Sequence, residues 1–154
     1  MDEVVVRIGG WQRYLWRAVD QDGEIIDVLL QERRDSASAR RFFRHVLAHL
    51  GGEPRTIVTD KLGSYAVALR ELLPTVAHDT RRHASNRAEL SHQPTRIRER
   101  GMRRFKSMYQ AQRFVRVHAA VSNRFNRGRH LVAASHCRAL RQAALASWDW
   151  AVAI

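Results

Sequence analysis

The sequence predicts an α/β domain in which three antiparallel strands precede alternating helices and strands and a helical C-terminal part. Three observations support this fold class. The first 30 residues hold three strand-like runs with turn signals between them, a helical pattern then separates two later strands, and the rest of the chain follows helical spacing. With 154 residues, of which 45% are hydrophobic, the chain is long enough for one domain, 1–154, with a real core.

The opening strands are predicted at Val4–Ile8, Tyr14–Val19 and Ile25–Leu30, where β-branched and aromatic residues are frequent. Gly9-Gly10 is a turn signal between the first two strands. Asp22-Gly23, between the second and the third, is the strongest short hairpin signal in the sequence. The three strands are therefore expected to pair in antiparallel order.

A helix and a further strand follow. Ser36 or Ser38 is expected to cap the helix and Gly51-Gly52 to end it. Its apolar positions at helical spacing are Phe42, Phe43, Val46, Leu47 and Leu50. The next run, which ends at Asp60, predicts a strand. Because a helix between two strands is typical of a crossover, this strand is expected to join the sheet in parallel.

The remaining elements are mostly helical. A helix is predicted at Tyr65–Leu72, then a short strand around Thr75–Ala77, and then a segment from Asn86 to about Arg104 that Pro94 interrupts. The last two helices are Gln110–Phe125, with Phe114, Val117, His118 and Val121 on one face, and Ser135–Trp150, with Leu140, Ala144 and Trp148 at spacing four. These helices are expected to flank the sheet.

Charge is distributed unevenly along the chain. The net charge is +12, with a pI near 11.4, and this balance predicts a polyanionic partner. Residues 1–80 hold 11 Lys/Arg against 12 Asp/Glu, whereas residues 81–154 hold 16 against 3. The densest basic stretch comprises Arg81, Arg82, Arg87, Arg96, Arg98, Arg100, Arg103, Arg104 and Lys106. Cations with so few acids beside them favour phosphate contacts that position a duplex, and a solvated helical face is the alternative.

Cysteine content and hydropathy indicate a compartment. Cys137 is the only cysteine, which excludes an intrachain disulfide and fits a reducing cytoplasm. The sequence starts with charged residues and has no apolar run of about 18 residues, so neither a signal peptide nor a membrane span is expected. A soluble intracellular protein is therefore predicted.

Three carboxylates could meet at one end of the sheet: Asp2 at the head of the first strand, Asp60 at the end of the crossover strand, and Glu89 in the first turn of a helix. Two Mg²⁺ ions about 4 Å apart, which phosphoryl transfer uses, need such a convergence of oxygen ligands. Each acid also has a simpler interpretation. Asp60 could cap a turn, Asp2 could be a solvated terminal acid, and Glu89 could complete a capping box with Asn86. Glu99 is a competing third ligand, although its arginine neighbours explain it as well.

Other reactive or aromatic residues are interpreted as structural. His45 and His49 are four apart but lack the Glu and the third ligand of a zinc site, so surface or packing roles are expected. The same holds for Cys137, which has no activating neighbour beyond His136. The tryptophans, expected in the core or an interface rather than stacked on bases, are Trp11, Trp16, Trp148 and Trp150.

The sequence also resembles a known family in collinear order over nearly its whole length. The matching segments are Asp2 to Gly10 (DEVVVRIGG), Tyr14 to Asp20 (YLWRAVD), Thr59 to Tyr65 (TDKLGSY), Asn86 to Glu89 (NRAE), Arg98 to Ser107, Ala111 to Phe114 and His118 to Val121. On these residues the chain resembles the DDE transposases of bacterial insertion-sequence family six.

The resemblance implies a ribonuclease-H-like catalytic domain whose two catalytic Asp residues match Asp2 and Asp60 and whose Glu matches Glu89. It implies cleavage that depends on Mg²⁺, or on Mn²⁺ in its place, at the element's ends, after which the freed 3′-hydroxyl attacks target DNA. Lys61 and Arg87 would contact phosphates beside Arg96, Arg100, Arg103, Arg104 and Lys106. The partners expected are insertion-sequence ends and target DNA, bound by a homodimer or a larger assembly at the bacterial nucleoid.

Two departures from the family keep other interpretations open. Members usually carry a helix-turn-helix region before the first Asp, whereas only Met1 precedes Asp2 in this sequence. Members also tend to have Asn at the two positions that Ser85 and Leu90 occupy here. A truncated or inactive copy is therefore an alternative, as is a basic DNA-binding or dimerisation fragment without catalysis. A stand-alone structure-specific nuclease of the same fold is a third interpretation.

Overall fold

The first half of the chain forms an antiparallel sheet in the order β1-β2-β3. The computed structural model describes residues 1–60, 62–81, 97, 105–125 and 134–152. The three strands are β1 (Asp2–Ile8), β2 (Trp11–Val19) and β3 (Ile25–Gln31), so each is longer than predicted. The ladder extends into polar residues because backbone pairing continues regardless of side-chain type: Asp2 pairs with Arg17, and Ile8 with Trp11.

The turn between β2 and β3 differs from the two-residue hairpin that Asp22-Gly23 indicated. The connection spans Asp20 to Glu24, and Asp20 organises it, because its Oδ1 accepts hydrogen bonds from the backbone N–H groups of Asp22 and Glu24 at 2.8 Å each. Gly23 supplies a positive φ of 87°. Gly23 therefore adopts the backbone conformation that the hairpin signal predicted, but within a five-residue turn rather than a two-residue one.

Helix α1 (Ser36–Leu50) follows the sheet. Neither predicted serine caps it: Asp35 is the N-cap, and its Oδ1 accepts a hydrogen bond from Ser38 N at 2.8 Å. Ser38 lies buried inside the first turn, where its carbonyl oxygen accepts a hydrogen bond from Gln31 Nε2. Gly51 ends the helix in the left-handed conformation, φ 65°, as predicted.

The later strands form a parallel pair. Strand β4 (Thr56–Val58) pairs with β5 (Ala77–Asp79) across helix α2 (Gly63–Leu72), and β5 lies two residues beyond its predicted position. The parallel direction is confirmed, although among the described residues β4 has a ladder with β5 and not with the antiparallel sheet. A hydrogen bond connects the two sheets, since Met1 N, beside the start of β1, donates to Val58 O of β4 at 2.6 Å.

Helices cover both faces of the antiparallel sheet and create two cores. On one face α1 and α2 pack over Trp16, which contacts the rings of Phe42 and Tyr65 at centroid distances of 5.7 and 5.3 Å. On the other face, α3 (Met108–Phe125) packs over β1 and β3. This is the predicted mixed α/β class, with three antiparallel strands followed by parallel strands and flanking helices.

The buried face of α3 differs from the prediction. Ala111, Val115 and Ala119 are buried, whereas Val117 and Val121 are 56% and 37% exposed. The small alanines let the helix approach β3 closely enough for polar side chains on the same face to reach that strand. Of the predicted face, Phe114 packs against the core, whereas Val117 and Val121 lie outside it.

The C-terminal helix α4 (Ala134–Val152) is longer than predicted, and its Ala144 is buried, while Leu145 is half exposed. The predicted helical segment from Asn86 to Arg104 lies outside the described residues except for Ile97, which is helical and exposed. Of the predicted core tryptophans, Trp16 is fully buried but Trp11 is 71% exposed. No helix in the described part of the chain combines the length and apolar character needed to cross a membrane.

Candidate metal centre at the junction of the two sheets

Asp60 lies two residues beyond β4 and shapes the turn into α2. Its Oδ1 accepts a hydrogen bond from Leu62 N at 3.0 Å, and Leu62 is the N-cap of α2. The turn-forming role that its position suggested is therefore present. Among the described residues this contact uses Oδ1, so the turn-forming role does not exclude a second role for the carboxylate.

The backbone around Asp60 is held to β5. Thr59 is buried, its N–H donates to Asp79 O at 3.1 Å, and its hydroxyl donates to Asp60 O at 2.7 Å. Because the hydroxyl proton is used there, Thr59 Oγ1 accepts from His78 Nε2, 2.7 Å away. Burial lowers the pKa of His78, and the neighbouring Asp79 charge partly opposes this. A neutral His78 with its proton on Nε2 therefore anchors the residue before Asp60.

The structure brings Asp2 and Asp60 together although 58 positions separate them. Within the described residues, Asp2, Glu3 and Asp60 form a group in which one carboxylate oxygen of each lies within 4.8 Å of the others. Asp2 contributes from the first residue of β1, and Asp60 from the end of the β4 segment. The contact between Met1 and Val58, each within two residues of these acids, brings the start of β1 to the end of β4.

Glu3 was not predicted to belong to this group. Its side chain is only 4% exposed, forms an ion pair with Arg34, and accepts a hydrogen bond from the Tyr65 hydroxyl at 2.9 Å. Burial and then the Asp60 charge raise the pKa of Glu3, and the contacts with Tyr65 and Arg34 oppose the rise. Burial and the Glu3 charge in turn raise the pKa of Tyr65. No local sequence pattern indicated this contact, since Tyr65 is 62 positions away from Glu3.

Buried positive groups surround the acids. Arg17, directly across the ladder from Asp2, is fully buried, and burial lowers its pKa to about 10. Directly opposed residues of an antiparallel pair lie on the same face of the sheet. Burial also lowers the pKa of the Met1 amino group, while Asp2 and Asp60 act to raise it. The carboxylates therefore lie among groups that offset part of their mutual repulsion.

The donor set fits a hard divalent cation. Carboxylate oxygens are the ligands that Mg²⁺ and Mn²⁺ take, and three of them within 4.8 Å fall in the range that one or two ions can bridge. Both oxygens of Glu3 already have protein partners, Arg34 and Tyr65. The remaining predicted site residues are not all described. Lys106 is exposed, with its N–H donating to Gln110, whereas Lys61, Arg87, Glu89, Arg96, Arg100, Arg103 and Arg104 lie outside the described residues.

His45 and His49 lie on α1, where His45 is partly exposed and His49 is exposed. His49 Nδ1 lies 2.8 Å from the backbone oxygen of His45, and His45 lies 3.8 Å from Asp27. Within the part of the chain that the structure describes, neither belongs to a group with metal-binding geometry.

Comparison with known proteins decides the family. A family model of the IS240 transposase type, described as a DDE domain, matches residues 1–128. The chain belongs to the DDE transposases of insertion-sequence family six. The predicted resemblance is therefore confirmed at the level of the family.

Individual relatives agree with this assignment. The transposase for the insertion sequence-like element IS431mec of Staphylococcus aureus is 29% identical over 104 residues, which cover 64% of this chain and 46% of that protein. The transposase for the insertion sequence element IS257 in transposon Tn4003 of Staphylococcus aureus gives the same values. This DDE transposase chain thus spans about half the length of the curated relatives it matches.

Among solved structures, the simian T-cell lymphotropic virus intasome in complex with PP2A regulatory subunit B56 gamma is similar, with a TM-score of 0.49 and 20% identity. The match covers 59% of the transposase chain and 36% of the intasome chain.

Proposed function

We propose that residues 1–154 form the catalytic domain of a transposase that cleaves DNA at insertion-sequence ends and joins the freed strand to target DNA. The approach of the Asp2 and Asp60 carboxylates at the junction of the two sheets carries this proposal. Glu89, the third acid of the DDE pattern, completes the proposed set. The proposed setting is the bacterial cytoplasm, with a homodimer or larger assembly on DNA.

The protein groups have separate tasks in the proposed reaction. Asp2, Asp60 and Glu89 would hold one or two Mg²⁺ or Mn²⁺ ions, which supply Lewis-acid stabilisation of phosphoryl oxygens and lower the pKa of an attacking oxygen. Thr59 and Leu62 fix the main chain and the Oδ1 of Asp60. Phosphate contacts that position the duplex are assigned to Lys61, Arg87, Arg96, Arg100, Arg103, Arg104 and Lys106.

Asp60→Asn is the direct test, because an Asn Oδ1 can still accept the hydrogen bond from Leu62 N. We expect the variant to fold normally and to lose Mn²⁺ affinity by more than the roughly 10–100-fold that loss of a supporting partner costs. Cleavage and joining of DNA that carries insertion-sequence ends should fall with it. Calorimetric titration with Mn²⁺ and a gel assay of strand products give the two readouts.

Asp20→Asn is the matched control. Asp20 also organises a turn through its Oδ1, which accepts from Asp22 and Glu24, but it lies in the connection between β2 and β3. It should leave Mn²⁺ binding and strand products unchanged. Equal activity of wild type and Asp60→Asn would end the catalytic proposal.

A second candidate function is DNA binding without catalysis, which the excess of basic over acidic residues in 81–154 favours. It predicts that wild type and Asp60→Asn bind DNA equally and that neither produces cleaved strands in the same assay. Cleavage of branched DNA irrespective of its terminal sequence would instead identify a structure-specific nuclease.

A further inference from the structure

The buried carboxylate of Glu3 connects the two segments that bear Asp2 and Asp60. Glu3 follows Asp2 directly in β1, and its Oε2 accepts the hydrogen bond from Tyr65. On the other side, Tyr65 N donates to Leu62 O at 3.0 Å, and Leu62 N donates to Asp60 Oδ1. A short series of hydrogen bonds thus runs from Asp60 through the start of α2 to the residue beside Asp2.

The contacts of Glu3 are those of a supporting group rather than a ligand. Its Oε1 faces Arg34 and its Oε2 faces Tyr65, so each oxygen already uses a lone pair on a protein partner. The Tyr65 ring is itself fixed, since it is fully buried and packs edge-on against Trp16 and Phe43 at centroid distances of 5.3 and 5.8 Å. Its hydroxyl therefore offers Glu3 a fixed donor.

We propose that Glu3 is a positioning residue of this site: held by Tyr65 and Arg34, it fixes the start of β1 against α2 and so sets the spacing of the Asp2 and Asp60 carboxylates for a divalent cation. This inference rests on the proposed function. Strand ends fray unless tertiary contacts hold them, and Asp2 is the first residue of its strand. Partners that orient metal ligands in this way typically contribute 10- to 100-fold, in order of magnitude, to metal affinity.

Tyr65→Phe tests the proposal without changing any charge, because it removes only the hydroxyl that Glu3 accepts from and keeps the packed ring. Mn²⁺ affinity of the full chain, measured by calorimetry, should fall about 10- to 100-fold. Strand cleavage should recover toward the wild-type rate at saturating Mn²⁺, since positioning changes the metal requirement rather than the chemistry. A merely structural role would instead lower activity equally at every Mn²⁺ concentration.

Glu3→Asp is the second variant, which also decides the question if Tyr65→Phe does not fold. It keeps the negative charge but is one methylene shorter, so the carboxylate no longer reaches Tyr65, and the same loss of affinity is expected. Glu32→Gln is the control, because Glu32 is an acid of the same sheet region that is 70% exposed and paired with Arg13. It should bind Mn²⁺ as the wild type does.

The outcomes separate this inference from the proposed function. If Asp60→Asn binds Mn²⁺ as tightly as the wild type, the metal centre itself is refuted and the positioning role with it. If Asp60→Asn loses binding while Tyr65→Phe and Glu3→Asp keep it, the function stands and the positioning role is overturned. A Glu3→Asp variant as deficient as Asp60→Asn, beside an unaffected Tyr65→Phe, would make Glu3 a ligand and also overturn the proposal.

Discussion

The carboxylate of Asp60 has two oxygen atoms, and a hydrogen bond to Leu62 N uses one of them. A turn-forming role is therefore compatible with the proposed metal-binding role, and it would orient the side chain for that role. Glu3 shows the opposite arrangement, because partners hold both of its oxygens. Two acids in the same cluster thus differ in what they can offer a cation, although residue type alone would treat them alike.

The ion pair between Asp79 and Arg81 predicts that the stability of the fold depends on pH. Arg81 donates to both carboxylate oxygens of Asp79, at 2.7 to 3.1 Å, and these hydrogen bonds lower the pKa of Asp79 to about 2. A carboxyl whose pKa is lower in the folded state stabilises the fold above its ordinary pKa of about 3.9, and this contribution is lost as the pH falls toward the folded value. The unfolding temperature should therefore decline between about pH 4 and pH 2 by more in the wild type than in Asp79→Asn.

An NMR titration of the Asp79 carboxyl measures the same shift directly. Arg81→Gln should return the pKa toward its ordinary value, because it removes the guanidinium while leaving the carboxyl in place. An Asp79 pKa near 4 in the wild type would contradict the pairing.

Among the elements, α3 has two functions: it covers a core and it completes a strand edge. Gln112 accepts from Leu30 N at 2.7 Å and donates to Val28 O at 2.9 Å, and Asn123 makes the same pair of contacts with both backbone groups of Ile25 at 2.8 Å. The two amides are eleven positions apart, about three helical turns, and so face the same way. Strand β3 is at the edge of its sheet, where unpaired backbone groups would otherwise be open to pairing with another chain.

Replacing Gln112 tests this edge cover. Gln112→Leu leaves Leu30 N and Val28 O without partners beneath a helix, and an unsatisfied buried group costs about 1–3 kcal/mol. We expect the free energy of unfolding, measured in urea, to fall by an amount in that range. Gln110→Leu is the matched control, since Gln110 accepts from Lys106 N at an exposed position where water can replace it, and it should change stability little. Equal effects of the two variants would refute the role of the edge contacts.

In the molecule as a whole, acidic and basic groups are divided along the chain. Residues 1–80 carry a net charge of −1 and contribute the described acidic cluster, whereas residues 81–154 carry +13. In the proposed function, this division lets cations of the basic half contact phosphates, while Asp2 and Asp60 from the acidic half and Glu89 from the basic half hold the metal.

The salt dependence of DNA binding tests this division. If the basic half contacts six to ten phosphates, DNA affinity should fall by about 10³–10⁵-fold between about 50 and 200 mM salt. Arg100→Gln and Arg103→Gln should each reduce the slope of log affinity against log salt by about 1. Arg41→Gln, which removes an exposed arginine from the first half of the chain, is the control and should leave the slope unchanged. Fluorescence anisotropy with labelled duplex gives the affinities, and a slope near zero would contradict phosphate contacts.

Local chemistry was enough to predict most elements from the sequence. Strand-like runs, the end of α1 at Gly51 and the order of three antiparallel strands before a parallel pair depend on residue types that act over a few positions. The family resemblance, and with it the choice of Asp2 and Asp60, also came from the sequence. Element boundaries were less accurate, because backbone pairing and capping extend into polar residues such as Asp2 and Asp35.

Only the tertiary structure decided which distant groups meet and which faces are buried. Asp2 approaches Asp60 because β1 begins where β4 ends, joined by the bond from Met1 to Val58. The covered face of α3 includes the partly buried amides of Gln112 and Asn123 beside Val115, because the edge of β3 needs hydrogen-bond partners. Glu3 is buried because Tyr65, 62 positions away, supplies a donor. In each case the free energy of a polar group depends on a partner that no local pattern contains.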